Sequence, residues 1–148
     1  MPFVDGVWAG ATGCRILAIM NASDGIAFQG IDHVQLAAPP GCEAEARRFF
    51  GALLGLAELP KPPVLAARGG VWFACGAQQI HIGVEDDFRP AKKAHPALRL
   101  SGEAALEALR VRLTAAGVPT RVDRAIEDSA RFFAEDPWGN RLEFVAGK

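Results

Sequence analysis

The sequence repeats itself at an offset of 62 residues. Three pairs of positions are separated by this distance, namely His33 and His95, Gly55 and Gly117, and His81 and Glu143. One gapless offset therefore relates several parts of the chain at once, which is the mark of a duplicated structural unit. Two copies are too few for a solenoid, so we expect them to pair into one closed structure around a shared axis.

The first copy predicts strands and one helix. Residues 31–38 alternate between apolar and polar side chains, as in a strand, and the Pro-Pro-Gly that follows cannot continue it. Apolar side chains then recur at helical spacing, and Gly55 has the position of a helix-ending glycine. These side chains are Ala46, Phe49, Phe50, Leu53 and Leu54. After a Pro-rich stretch, short strands at 71–75 and 79–84 complete a unit that we interpret as βαβββ.

The second copy has the same order of elements. It begins with a strand at 95–100, continues with a helix that ends at Gly117, and closes with strands near Thr120, at 130–135 and at 141–145. The apolar face of the helix carries Leu106, Leu109 and Leu113. We therefore predict an α+β fold in which two paired βαβββ modules form a rolled mixed sheet, with the helices outside and a central cavity.

The predicted domain occupies residues 29–148, with modules at about 29–84 and 95–146. Residues 1–28 are treated as an N-terminal extension because they show no sustained strand or helix period. Two interpretations of the extension stay open. Residues 14–20 could add an edge strand, or Met20 could be the true start, so that residues 1–19 would not belong to the native protein.

Charge and cysteine content argue against several classes of function. The formal net charge of -1, with both signs interspersed, offers no basic stripe for nucleic acid and no polybasic tail for a membrane. No apolar run approaches the roughly 20 residues that span a bilayer, and no basic segment typical of a signal peptide opens the chain. Three cysteines without a CxxC pair argue against disulfides and a zinc knuckle, and favour a reducing cytoplasm.

Four predicted strands each have one apolar face and one face with polar groups, because side chains alternate along a strand. The polar faces carry His33, Gln35, Gln79, His81, His95, Arg99, Arg141 and Glu143. If the sheet curls, these faces line the cavity, where unpaired ionisable groups would cost several kcal/mol each. A divalent cation bound by His33, His81, His95 and Glu143 would satisfy all four ligands at once.

Three imidazoles and one carboxylate suit Zn, Ni, Mn, Fe or Co. His33, His95 and Glu143 alone form a 2-His-1-carboxylate set that leaves positions open for substrate or water. Glu143 is the candidate catalytic residue, since a carboxylate ligand that partly dissociates can act as a base. The candidate substrate-binding residues, which could orient a carboxylate or phosphate, are Gln35, Gln79, Arg99, Arg131 and Arg141. Trp72, Phe73, Phe132 and Phe133 are expected in the core.

Four segments carry a resemblance to a known family: IDHVQLA, QIHIGV, AHPALRL and FFAEDPWGNRLEFV. Together they resemble the glyoxalase/bleomycin resistance/dioxygenase family, or vicinal-oxygen-chelate superfamily, over about residues 29–146. The DPWGN turn at 136–140 is the most specific of these pieces. The resemblance implies metal ligands on the first and last strand of each repeat, which correspond here to His33, His81, His95 and Glu143.

The resemblance implies a small-molecule substrate with two neighbouring oxygens, and two functions stay open. One is a metal-dependent enzyme of isomerase, lyase or transferase type, in which the metal polarises the substrate. The alternative is a metal-free binding protein of the bleomycin-resistance type. His81 stands where glyoxalase I usually has a glutamate, which argues against that activity. The lack of tyrosine and of a further histidine argues against a dioxygenase.

We also expect a homodimer, because a short curved sheet has edges that invite pairing. The repeats could pair within one chain, so that one chain supplies all four ligands. They could instead pair across a two-fold axis, so that His33 and His81 meet His95 and Glu143 of a second chain. The linker at 85–94 is long enough for either arrangement.

Overall fold

The computed structural model describes residues 27–125 and 129–147. The chain divides between Gly30 and Ile31, and the architecture below belongs to the part that begins with Ile31. The possible strand at 14–20 and the status of residues 1–19 lie outside the described residues. None of the described helices is both long enough and apolar enough to cross a membrane.

The first repeat forms a mixed four-stranded sheet. Its strands are β1 (His33–Ala38), β2 (Glu58–Leu59), β3 (Val71–Cys75) and β4 (Gln78–Val84), in the order β1-β4-β3-β2. β1 runs parallel to β4, whereas the β2–β3 and β3–β4 pairs are antiparallel. β2 completes the predicted βαβββ unit and lies in the Pro-rich stretch, where two residues are too few to show an alternating pattern.

The helix of the first repeat begins as α1 (Glu43–Ala46) and continues as a π-helix (Arg47–Leu53). The wider π turn is closed at its end by the Leu54 N–H, which donates to the carbonyl oxygen of Phe49 at 2.9 Å. Gly55 follows with a φ of 78°, as predicted for the glycine that ends this helix. A second short helix, α2 (Pro63–Ala66), was not predicted.

The second repeat copies this connectivity. Its strands are β5 (Ala97–Leu100), β6 (Arg121–Asp123), β7 (Arg131–Glu135) and β8 (Arg141–Ala146), in the order β5-β8-β7-β6. α3 (Glu103–Ala115) joins β5 to β6, and Gly117 follows it with a φ of 79°. β5 runs parallel to β8, and the other pairs are antiparallel. The prediction of two βαβββ modules is therefore confirmed.

The apolar faces of both sheets and of the long helices share one core. Its largest fully buried apolar side chains are Phe50, Phe73, Ile82, Leu113, Phe132, Leu142 and Phe144. The two sheets do not join into one closed sheet among the described residues, and β1 and β5 each lie at an edge. A groove of about 1020 Å³ is lined by residues of both edge strands, including Val34 and Leu98.

The turn between β7 and β8 ties the two repeats together. Asp136 is buried and accepts hydrogen bonds from the backbone N–H groups of Trp138 and Asn140 and from the Asn140 amide. Burial raises the pKa of the Asp136 carboxyl, against these hydrogen bonds, which lower it. The Asn140 amide also donates to the carbonyl oxygen of Ala37, at the end of β1, and accepts from the Ala91 N–H. One buried side chain thus connects β1, the linker and the turn.

Candidate metal centre

The polar face of the first sheet is built by alternation on three neighbouring strands. In register, Gln35 on β1 and Trp72 on β3 flank His81 on β4, and His33 lies opposite Gln79. The other face is apolar and buried, as predicted. The four candidate side chains of this sheet, two imidazoles and two amides, therefore lie on one surface.

His81 is held between two rings. The Trp72 ring lies parallel to it with centroids 4.0 Å apart, and the His33 ring stacks on it at 4.2 Å. The Nε2–H of His81 donates to the Gln79 side-chain oxygen at 2.8 Å, which leaves Nδ1 of His81 with a lone pair. Burial, followed by repulsion from His33, lowers the pKa of His81. The ring is thus kept neutral and fixed, which suits a metal ligand.

His33 is oriented by its neighbour in sequence. Its Nδ1 lies 2.7 Å from a carboxylate oxygen of Asp32, which accepts the proton of that nitrogen. Nε2 of His33 is then the nitrogen available to a ligand. The His33 side chain is 44% exposed, so the available atom is open to a partner from outside the first sheet.

The second sheet brings His95 and Glu143 together. His95 lies two residues before β5, and its Nδ1–H donates to the carbonyl oxygen of Lys93 at 2.8 Å. Its Nε2 lies 3.0 Å from Oε2 of Glu143. With one proton on Nδ1, both facing atoms carry lone pairs. The contact is satisfied either by a second proton on His95 or by a cation that both atoms bind, and the donor set therefore fits a metal.

Glu143 is further held by an arginine. NH1 of Arg131 donates to Oε1 of Glu143 at 3.2 Å, and both side chains are largely buried. Nε of Arg131 is buried without a hydrogen-bond partner among the described residues. Phe133 lies opposite Glu143 in the register and meets the His95 ring edge-on at 5.6 Å. The two oxygens of the carboxylate thus contact different groups, Arg131 at Oε1 and His95 at Oε2.

The four predicted ligands form two pairs, one on each sheet. Within residues 27–125 and 129–147, no group of three or more His, Cys, Asp or Glu side chains is placed to hold a metal ion. His33 and His81 form the first pair, and His95 and Glu143 form the second. In the described part of the chain, the four candidate ligands therefore lie as two separate pairs.

Comparison with solved structures identifies the family. A glyoxalase family protein from Bacillus anthracis is 50% identical to this chain, with a TM-score of 0.78, and the match covers 83% of this chain and 98% of that one. The chain belongs to the glyoxalase family. No protein-family model matches the sequence, and no curated protein does.

More distant members of the glyoxalase fold show the same architecture. The lactoylglutathione lyase from Agrobacterium tumefaciens is 23% identical, with a TM-score of 0.63, and the match covers 80% of this chain and 94% of that one. A variant of the fosfomycin resistance protein FosX from Listeria monocytogenes, complexed with Mn(II) and 1S,2S-dihydroxypropylphosphonic acid, is 16% identical with a TM-score of 0.68. That match covers 82% of this chain and 95% of that one. At these identities the likeness shows the fold alone.

The remaining predicted site residues of this glyoxalase family member also lie on the polar faces. Gln35 packs against Gly83, where a Cβ would come within 2.7 Å of the amide carbon. Arg99 is exposed on β5, and the Arg141 guanidinium lies 5.8 Å from the centre of the Phe133 ring. These positions stay candidates for substrate contact, whereas Arg131 is engaged with Glu143.

Sequence reasoning missed three residues of the polar faces. Trp72 and Phe133 were expected in the core, which is wrong, because they lie half-buried on the polar faces while Phe73 and Phe132 fill the core. Strict alternation along β3 and β7 is the signal that distinguishes Trp72 and Phe133 from the core residues Phe73 and Phe132. The sequence pattern does not indicate Arg121, because β6 has only three residues and gives little periodic signal.

Proposed function

We propose that this protein is a metal-dependent enzyme of the glyoxalase family that acts on a small molecule with two neighbouring oxygens in the cytoplasm. The observation that carries the proposal is the His95–Glu143 pair, in which a nitrogen and an oxygen face each other at 3.0 Å beside a polar surface. Zn, Ni, Mn, Fe or Co would suit these ligands. The fold neighbour FosX, with its Mn(II), supports a site of this kind on this architecture.

We further propose that the complete site forms in a homodimer. The polar half-sites lie on separate sheets, and β1 and β5 are edge strands that a second chain can cover. His33 and His81 of one chain would then join His95 and Glu143 of a second chain. The exposed His33 ring supports this arrangement, because its available nitrogen is open to a partner.

The candidate residues would have different roles in the proposed reaction. A bound divalent metal would polarise the substrate oxygens and lower the pKa of a bound proton. Glu143 would accept a proton, and Arg131, which donates to its Oε1, would keep the carboxylate in one orientation. The Trp72 and His33 rings hold the plane of His81. Gln35, Gln79, Arg99 and Arg141 are the proposed substrate contacts.

A second candidate function is supported by the same contacts. Arg131 and a doubly protonated His95 together satisfy both oxygens of Glu143 without a metal. A protein with this surface could bind a small molecule without transforming it, as the bleomycin-resistance type of the family does. Metal stoichiometry separates the two functions.

The deciding experiment is elemental analysis of the full chain purified without a histidine tag. We expect about one metal per chain after incubation in turn with Zn, Ni, Mn and Fe(II), followed by removal of free metal. If the protein stays metal-free in every case, the proposed enzyme function is contradicted and the metal-free binding function is favoured. Isothermal titration calorimetry with each metal gives the affinity as an independent measurement.

A further inference from the structure

Two arginines lie beside the same aromatic ring on the polar face of the second sheet. The Arg121 guanidinium lies 4.7 Å from the centre of the Phe133 ring, and the Arg141 guanidinium lies 5.8 Å from it. Their strands, β6 and β8, flank β7, which carries Phe133 between them. Stacking on an aromatic ring holds the plane of a guanidinium while its N–H groups stay available to an oxyanion.

The carboxylates of this face are already engaged by other groups. Glu143 is bound by Arg131 and His95, Glu135 is bound by Lys92 at 2.8 Å, and Asp123 accepts the backbone N–H of Ala125. In the part of the chain that the structure describes, neither Arg121 nor Arg141 forms a salt bridge with a carboxylate. The charged side chains described around Phe133 are four cations, Arg121, Arg131, Arg141 and Lys92, and three carboxylates, Asp123, Glu135 and Glu143, so positive charge is in excess.

A small cavity lies at these guanidinium groups. It has a volume of about 210 Å³ and is lined by Arg121, Phe133 and Arg141 together with Thr120 and Glu135. Since a water molecule occupies about 30 Å³, this space fits a group of a few heavy atoms and not a large ligand. Glu135 does not cancel the charge of the arginines, because Lys92 pairs with it.

We propose that Arg121 and Arg141 bind an oxyanion of the substrate, a carboxylate or a tetrahedral phosphorus oxyanion, and that the substrate is therefore a small organic acid. Arginine binds such groups through two parallel N–H donors. Phe133 connects this subsite to the candidate metal centre, because its ring also meets His95 at 5.6 Å. The position of the oxyanion relative to the reacting oxygens rests on the proposed function, whereas oxyanion binding itself does not require a metal.

The test uses the full chain after treatment with EDTA, so that no metal contributes to binding. Acetate, methylphosphonate and neutral 1,2-propanediol are titrated separately and followed by isothermal titration calorimetry or by NMR shifts. We expect the anions to bind and the diol not to bind. The stronger of the two anions identifies the planar or the tetrahedral oxyanion as the natural group.

Substitutions then locate the subsite. Arg121→Gln and Arg141→Gln should each weaken anion binding by about tenfold, the value of one charge-assisted hydrogen bond. Arg121→Lys should recover part of the loss, since it keeps the charge and loses the paired donors. Arg89→Gln, at an exposed linker position, is the matched control and should bind like the native protein.

The outcomes separate this proposal from the proposed function. Equal anion affinity in the Arg121→Gln, Arg141→Gln and Arg89→Gln variants would overturn the oxyanion subsite, as would equal affinity for the diol and the anions. Anion binding that depends on both arginines in a protein that takes up no metal would support the subsite and contradict the metal-dependent enzyme. Circular dichroism of each variant confirms that a loss is not due to unfolding.

Discussion

Nε2 of His95 lies 3.0 Å from Oε2 of Glu143, and the other polar atom of each side chain is held by a hydrogen bond to a different group. The Lys93 carbonyl oxygen fixes the far side of the imidazole, and Arg131 fixes the other carboxylate oxygen. Metal ligands are commonly oriented in this way by hydrogen bonds to their remaining atoms. If the proposed function is right, both candidate ligand atoms are oriented without a metal, so metal binding would require little further ordering of these side chains.

Removing the carboxylate of Glu143 should remove the metal. Glu143→Gln keeps the size of the side chain but loses the charge, and we expect metal content to fall from about one per chain to less than a tenth of that. Glu135→Gln is the matched control, because Glu135 is exposed on the same polar face of the sheet, on the neighbouring strand β7. Elemental analysis of both variants checks the prediction, and full metal content in Glu143→Gln would show that this residue is not a ligand.

Subunit mixing should restore the site if it forms across two chains. His33→Ala and Glu143→Ala each lose metal alone, but a mixed dimer contains one site with all four ligands. Mixing His33→Ala with His81→Ala is the control, since these two residues lie on the same sheet and no mixed site is complete. Metal titration after subunit exchange measures the recovery, and recovery in neither mixture would favour pairing within one chain. A monomer in light scattering at micromolar concentration would contradict the dimer altogether.

Acid should destabilise the metal-free protein through His81. Burial and the neighbouring His33 lower the pKa of His81 in the folded chain, so the unfolded chain takes up this proton first as the pH falls. The contribution of neutral His81 is complete above the ordinary histidine pKa, near 6.5, and is lost progressively below it. We expect the free energy of unfolding in urea with EDTA to fall less between pH 7.5 and 5.5 in His81→Gln than in the native chain. Equal losses would show that His81 does not titrate differently on folding.

The amount of bound metal should also decrease as the pH falls. Imidazole ligands bind metal only when neutral, so occupancy should fall as the pH drops below roughly 6. Equilibrium dialysis across this range, followed by elemental analysis, measures the change. A metal retained in full at pH 4.5 would indicate ligands other than His33, His81 and His95.

The duplicated order of elements could be predicted because it depends on local and repeated signals. The offset that relates Gly55 to Gly117 marks equivalent helix ends, and both glycines adopt the left-handed conformation expected there. Alternation placed His33 and His81 on one face, since side-chain direction in a strand follows from spacing alone. β2 was not located for the opposite reason, because a two-residue strand is held by its pairing with β3 and leaves no pattern.

The limits of prediction at the site have a similar cause. The sequence gives the direction in which a side chain leaves its strand but not the distance between two sheets, so it does not separate one complete site from two half-sites. The stacking of Trp72 on His81 and of Arg121 on Phe133 depends on cross-strand register. Register is set by tertiary packing and turn geometry, which a single sequence does not fix.

The buried amide of Asn140 should prove a main determinant of stability. It donates to the Ala37 carbonyl and to Asp136 and accepts from the Ala91 N–H, all at 2.9 Å or less. Asn140→Ala would leave these buried groups unpaired, and we expect a loss of about 2–4 kcal/mol in the free energy of unfolding. Gln78→Ala, at an exposed position at the start of β4, is the control and should stay within about 0.5 kcal/mol of the native chain. Urea unfolding followed by tryptophan fluorescence measures both, and a loss in Asn140→Ala no larger than that of the control would show that the turn does not hold the repeats together.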